Sequence, residues 1–163
     1  MNILLFPNPV LREKTRFVKT FDNSLNLFTQ SLTEFMYINK GCVGLAAPQV
    51  GELIRVVVVN ATGHKKVTKT SGLLVLVNPE IISFSGSTIN REGCLSVPDF
   101  TGNVERANQI KIKYQDIHGK SNSLETSGFE AVILQHEIDH LDGVLFIDRI
   151  RNSKRDLFKR KLY

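Results

Sequence analysis

Gln135-His136-Glu137-Ile138-Asp139-His140 places two histidines four residues apart. On a helix, residues at that spacing lie one above the other on one face. Both imidazoles can then reach a single metal ion, with Glu137 beside them to move protons. The flanks predict the helix. Ser127-Gly128-Phe129-Glu130 has the Ser-x-x-Glu form of a capping box, and Gly143 is a stop signal. Between them Phe129, Ala131, Val132, Ile133, Leu134 and Ile138 are apolar on nearly every side. A helix apolar all round is a buried one, so the histidines are expected inside the protein. One histidine on such a helix is usually a core residue; two of them flanking acids point to a metal site.

A metal site of this kind needs a third ligand. Metalloproteases with this motif take it from downstream, as a glutamate or a third histidine. This chain has no Glu after Glu137 and no His after His140. Gly143 fits the longer His-Glu-x-x-His-x-x-Gly-x-x-His pattern, but Phe146 stands where its last histidine belongs. Unless an aspartate such as Asp148 serves, the ligand comes from upstream. There Glu92-Gly93-Cys94-Leu95-Ser96 offers a cysteine beside a glycine at the end of a predicted strand. One Cys and two His leave a fourth position open, as a catalytic metal requires. Taken alone, Cys94 would read as a small buried hydrophobe; the upstream search makes it the favoured candidate.

A third stretch is Gly44-Leu45-Ala46-Ala47-Pro48-Gln49-Val50-Gly51. Its small residues allow close backbone approach to a ligand, Pro48 sets a turn, and Gln49 supplies a neutral amide donor. Together the three segments resemble the signatures of the peptide deformylase family, bacterial type, in the usual order. Pro7-Asn8-Pro9-Val10-Leu11-Arg12 also looks like that family's N-terminal start, so the resemblance covers almost the whole chain. One departure is Cys42, which stands where the family usually has the first glycine of Gly-x-Gly. It bears on the shape of the substrate groove and not on the metal site.

The resemblance implies a metallohydrolase that removes the formyl group from the N-terminal formyl-methionine of newly made polypeptides and releases formate. It implies one divalent metal on Cys94, His136 and His140, with Glu137 as the proton shuttle. Gln49, through its side-chain amide, and Leu95, through its backbone N–H, take the charge that develops on the formyl oxygen. The metal it implies is ferrous iron; Cys and His ligands also suit zinc, which is the alternative. Val132, one turn before His136 on the same face, is expected beside the metal, with Val43, Gly44 and Leu95 completing a pocket for the methionine side chain. The peptide would pair its backbone with the Gly44 segment as an added strand. Glu92, with Arg106, is expected to hold the cysteine loop in place.

The remainder of the chain suits one domain spanning 1–163. At 163 residues, with 42% hydrophobic and 23% charged residues, it can bury a full core. No apolar run approaches a membrane span, and neither a basic leader nor a cleavage site precedes Ile3-Leu4-Leu5-Phe6. A cytoplasmic location is expected, because a Cys42–Cys94 disulfide would disable the proposed ligand. Leu25, Phe28, Leu32, Phe35 and Met36 form a helical stripe, capped by Asp22 or Ser24 and ended by Gly41. Strands are expected at Ile54 to Val59, Leu73 to Val77, Ile81 to Phe84 and Ile110 to Tyr114. Ala61 to Gly72 reads as a mobile hairpin loop with solvated lysines, and His64 and His118 as surface histidines. This order of elements predicts an α+β fold, with mixed, mainly antiparallel strands wrapped around a central buried metal-binding helix, and a C-terminal helix.

The chain ends in a basic tail. Residues 149–163 hold seven Lys and Arg against the single Asp156, a net +6, while the whole chain is +5, so residues 1–148 sum to −1. The high pI is therefore a property of the tail and not of a general nucleic-acid-binding surface. Ile150, Leu157 and Phe158 give the tail an apolar face for the body. The family resemblance implies contact with the ribosome as its use. Two other classes compete with the hydrolase: a metalloendopeptidase, and a ribosome-associated module with a structural metal. A structural site would close its fourth position, and only Cys42, His64 and His118 are spare for that.

Overall fold

The computed structural model describes residues 1–161. Helix α1 (Asn23–Ile38) buries Leu25, Thr29, Leu32 and Met36, and the Asp22 carboxylate accepts from the Leu25 N–H at 3.1 Å. Asp22 is thus the cap. The helix ends at Asn39, ahead of the left-handed Gly41. After it come β1 (Gly44–Ala46), β2 (Val56–Val59), β3 (Leu74–Ser85), β4 (Thr88–Cys94), β5 (Val97–Arg106), β6 (Gln109–Gln115) and β7 (Ser121–Ser127). The chain continues into α2 (Gly128–Leu141), the four-residue α3 (Ser153–Asp156) and β8 (Leu157–Lys159).

The strands form two sheets, ordered β1-β2-β3-β6-β7 and β4-β5-β8, and every pairing between named strands is antiparallel. Strand β2 shows how the larger sheet is covered. Its four valines are all fully buried. Successive side chains of a strand face opposite ways, so Val56 and Val58 pack into the α1 cluster with Leu32, Met36 and Leu45. Val57 and Val59 pack into the α2 cluster with Ala131, Leu134 and Leu141. A run of apolar residues without alternation is the expected signature of a strand covered on both faces. A third cluster (Leu11, Cys94, Val97, Val104, Leu145 and Phe146) joins the smaller sheet to the segment that follows α2. The α+β expectation is met, with α2 enclosed by strands.

Several local expectations need correction. The capping box at Ser127 does not form, since that side chain makes no cap bond. Glu130 is buried instead and accepts from the Ser71 N–H at 2.7 Å, the Ser71 hydroxyl at 2.7 Å and the Thr126 hydroxyl at 2.9 Å. This ties the 61–72 connection to the start of α2, so at its Ser71 end that loop is anchored. The two expected strands around Asn78-Pro79 are one strand, β3, with irregular register at that point. There Asn78 takes a positive φ of 52° and bonds the Val18 backbone and Gln115 with its side chain. The C-terminal helix is present but short. Leu157 and Phe158 then pair with Gly102 and Thr101 of β5, so the tail docks mainly as a strand.

Gly143, expected to stop α2, has φ +72°, and a Cβ there would run into the Arg12 backbone carbonyl. Gly128 also has positive φ (+66°) but nothing within 4 Å. Gly128→Ala should therefore cost only the backbone term, about 1–2 kcal/mol. Gly143→Ala should cost about 3 kcal/mol or more, because rigid backbone must also move. Urea unfolding of the two variants checks the difference; equal losses would show that Arg12 can give way freely.

Candidate active site

Helix α2 carries His136 and His140 on one buried face, and the end of β4 brings Cys94 against them. The ligand atoms of the three residues all lie within 4.8 Å of one another, with Cys94 Sγ 3.4 Å from His140 Nε2. His136 is oriented by its other nitrogen: Nδ1 lies 2.8 Å from Glu92 Oε1. The carboxylate can only accept, so a proton sits on Nδ1 and Nε2 is the nitrogen turned to the site. Burial is outweighed by the contacts with Cys94 and Glu92, which hold His136 well above the usual histidine range, so a metal would have to displace the Nε2 proton.

Glu92 is the hub of a buried ionic chain. It accepts from Arg106 Nε and Nη2, both at 2.8 Å, while Arg106 Nη1 donates to Asp139 at 2.6 Å. Arg149 closes the chain on Asp139 at 2.5 and 2.7 Å. Burial alone would raise the Glu92 carboxyl, but the hydrogen bonds from Arg106 and His136 outweigh it and bring it down to about 2. Burial drives His140 well below the usual histidine range, so it is a neutral imidazole suited to ligation.

Glu137 is buried beside this group, and burial pushes its carboxyl up to about 7. Its position depends on Gly44: a Cβ there would lie 2.7 Å from Glu137 Oε1 and 2.9 Å from Ile133 Cγ2. Only glycine lets β1 run this close to the helix. Gln49 sits in the 3-10 turn Ala47–Val50 that follows β1. Its Oε1 accepts from the Ala46 N–H at 3.0 Å, which fixes the amide and sends Nε2 toward Cys94 Sγ (3.4 Å) and Ser96 Oγ (3.2 Å). Val43, Gly44, Leu95 and Val132 line one cleft of about 340 Å³ with Gln49, Cys94, His136 and Glu137. Of the residues expected as catalytic groups, metal ligands or pocket lining, all but His140 thus border that cleft, and His140 lies against Cys94.

Cys42 also lines the cleft. Both cysteines are free, and the Cys42 thiol donates to the Gly44 carbonyl at 3.1 Å. Burial raises it to about 12, so it stays protonated at neutral pH. His64, read as a surface residue, stacks on Phe129 at 4.5 Å and borders the cleft, whereas His118 is exposed as expected. Sequence reasoning missed the Asp139–Arg149 extension and the cations Lys40, Lys66, Arg91 and Arg160 around the cleft. Asp139 carried a usable signal, since it lies within the histidine motif; the cations carried none, being scattered along the chain.

The donor set suits a divalent ion. A thiol and two imidazoles, buried and converging within 4.8 Å, have no fourth protein donor among the described residues. Glu137 Oε2 is likewise buried with no partner there. The sequence profile described as polypeptide deformylase matches residues 1–156. This chain belongs to the polypeptide deformylase family. It is 43% identical to the peptide deformylase of Desulfotalea psychrophila over 162 residues, covering 99% of this chain and 94% of that protein. To the Campylobacter jejuni peptide deformylase it is 44% identical over 160 residues, 98% and 91% of the two chains. The crystal structure of the Thermotoga maritima peptide deformylase superposes with a TM-score of 0.85 at 39% identity, covering 93% of this chain and 97% of that one. The Legionella pneumophila structure gives 0.85 at 41%, covering 94% and 88%. Cys94, His136 and His140 fit the single metal ion of a deformylase.

Glu92→Gln removes the charge that orients His136 and leaves Arg106 buried without its main partner. Metal affinity should fall about 10–100-fold, measured by competition with a chelator; unchanged affinity would detach Glu92 from the metal group. The raised carboxyl of Glu137 has the opposite sign for stability. The folded protein holds that proton more tightly than the unfolded chain, so its contribution is complete below the ordinary 4.5 and is lost as pH rises toward about 7. In metal-free protein, Glu137→Gln should therefore raise Tm more at pH 8 than at pH 5. A gap that is the same at both values would mean the carboxyl is not shifted upward.

Proposed function

We propose that this deformylase removes the formyl group from the N-terminal formyl-methionine of newly made polypeptides, with residues 1–163 acting as one catalytic domain. The observation that carries this reading is the convergence of Cys94, His136 and His140 beside the buried Glu137 in one cleft. An ion held there supplies the Lewis acidity that makes water nucleophilic near neutral pH. Ferrous iron is the proposed ion and zinc the alternative. Glu137 takes the proton from the attacking water and passes it to the leaving amine. The Gln49 amide and the backbone N–H of Leu95 stabilise the charge developing on the formyl oxygen.

The same geometry supports a pose for the substrate. Strand β1 is at the edge of its sheet, paired only with β2. Its free side offers backbone groups to an extended peptide, which would lie as an added strand beside Gly44. Val43, Gly44, Leu95 and Val132 then surround the methionine side chain. The open fourth position favours catalysis over a structural metal, since neither Cys42, His64 nor His118 joins the group. A ribosomal role for the tail is proposed from its charge; no helix among the described residues is long and apolar enough to cross a membrane. We place the reaction in the cytoplasm, where newly made chains carry formyl-methionine.

Formate release from formyl-methionyl peptides tests the reading. Glu137→Gln should keep its metal while kcat falls by about 10²–10⁴. Gln49→Leu, similar in size but unable to donate, should lower kcat by about 10²–10³. Because Gln49 also touches Cys94, metal content is measured on the same samples. Full activity in either variant removes that residue from the mechanism, and efficient cleavage of internal peptide bonds by the parent would restore the endopeptidase.

A further inference from the structure

The floor of the cleft holds the metal group, but its rim carries one sign of charge. Lys40 and Lys66 border it on the side of β1 and α2, Arg91 and Arg160 on the side of the smaller sheet, and all four are exposed. The acids that line the cleft are Glu92 and Glu137. Both are buried, and Glu92 is already bound by Arg106 and His136. Among the described residues no carboxylate lies within ion-pair distance of any of the four cations. This rim is therefore a positive field without an internal counter-charge.

The two arginines are held in place by specific contacts. Arg91 lies 3.6 Å over the Phe158 ring and donates through Nε to Asn103 at 3.1 Å. Arg160 continues the edge of β8, its N–H bonded to the Asp99 carbonyl at 2.8 Å. Its guanidinium occupies the space that a side chain at position 93 would fill, so Gly93 is what admits it. Gly93 is the neighbour of Cys94. The cation thus stands one residue along β4 from the metal group, and the docking of the C-terminal strand is what puts it there.

An extended peptide advances about 3.3 Å per residue. With formyl-methionine at the floor, the residues that follow it must pass this rim on their way out. A concave cationic rim concentrates anionic ligands, and exposed guanidinium groups pair well with carboxylates. We propose that the rim is a subsite for acidic side chains at the positions following formyl-methionine, with Arg91 and Arg160 as its specificity-determining residues. The proposal rests on the deformylase reading above. A peptide is favoured over nucleic acid as the occupant because these charges border the path that the substrate itself takes.

The test uses the full chain with its metal and three peptide amides: formyl-Met-Glu-Glu, formyl-Met-Gln-Gln and formyl-Met-Lys-Lys. Amidation removes the terminal carboxylate as a competing anion. At low salt kcat/KM for the Glu peptide should exceed that for the Gln peptide by about five- to thirtyfold. The difference should lie in KM and shrink toward one in about 0.5 M salt. The pair Arg91→Gln and Arg160→Gln should bring the ratio to about one, and Arg160→Glu alone should shift preference toward the Lys peptide. Each ratio is taken within one preparation, so a loss of folded protein cancels. A parental ratio of one, or a ratio unchanged in the double variant, overturns the subsite. So does inhibition by a short RNA that depends on both arginines without any preference for the Glu peptide, because the rim would then serve nucleic acid. Failure to release formate from all three peptides would overturn the deformylase reading and the subsite with it.

Discussion

The carboxylate of Glu92, buried and shared between Arg106 and His136, is the contact on which the rest of this molecule depends. Helix α2 is enclosed by apolar packing, yet it presents His136, Glu137, His140 and Asp139 within the protein or at its margin. An ionised group in such a place is tolerated only when paired and hydrogen-bonded. The smaller sheet supplies the partners. Glu92 on β4 and Arg106 on β5 reach the helix together, and Arg106 then bonds Asp139. One ionic chain thus fixes the histidine tautomer, and with it the orientation of the site. It also joins the smaller sheet to the central helix, so removing a partner would disturb packing and ligation together.

Close backbone approach is the second constraint. Gly44 lets the edge strand β1 lie against Glu137, and Gly143 lets the chain after α2 pass the Arg12 carbonyl. Gln49 follows from the same arrangement, because the turn after β1 aims its amide at Cys94 while Ala46 holds the other end. Glu137, Cys94 and Gln49 are therefore placed by neighbouring segments of backbone rather than by flexible side chains. That rigidity suits electrostatic stabilisation of a transition state, which requires donors already in position.

Charge is distributed in two layers around the cleft. At the floor, acids and bases are buried and paired, and their protonation is set by burial and hydrogen bonding. At the rim the charges are solvated and of one sign. The first layer serves the chemistry of a small, neutral formamide. The second can act only on what extends beyond it, which is the rest of the peptide.

Much of this was legible in the chain alone, wherever the physical signal is local. The four-residue spacing of His136 and His140, the all-round apolarity of α2, the stripe of α1 and the alternation of β6 each follow from the geometry of a single element. Even the cysteine was reachable as a candidate, since no Glu or His remains downstream; Asp148, the alternative there, is engaged by Arg12 and the Leu145 N–H instead. Of the smaller sheet only the end of β4 at Cys94 was expected; β5 and β8, like β7 of the larger sheet, were not legible, because they are polar, glycine-interrupted or short and gain their stability from pairing with distant partners. For the same reason the basic tail read as a helix, whereas β5 recruits Leu157 and Phe158 into a sheet. Glu130 looked like a cap until Ser71, 59 residues away, offered it better donors. The residue types and spacing by themselves determined which chemistry this protein can hold. Only the tertiary structure decided which carboxylate orients His136, how Gln49 is aimed and where Arg160 stands, because each is set by contacts between segments far apart in the chain.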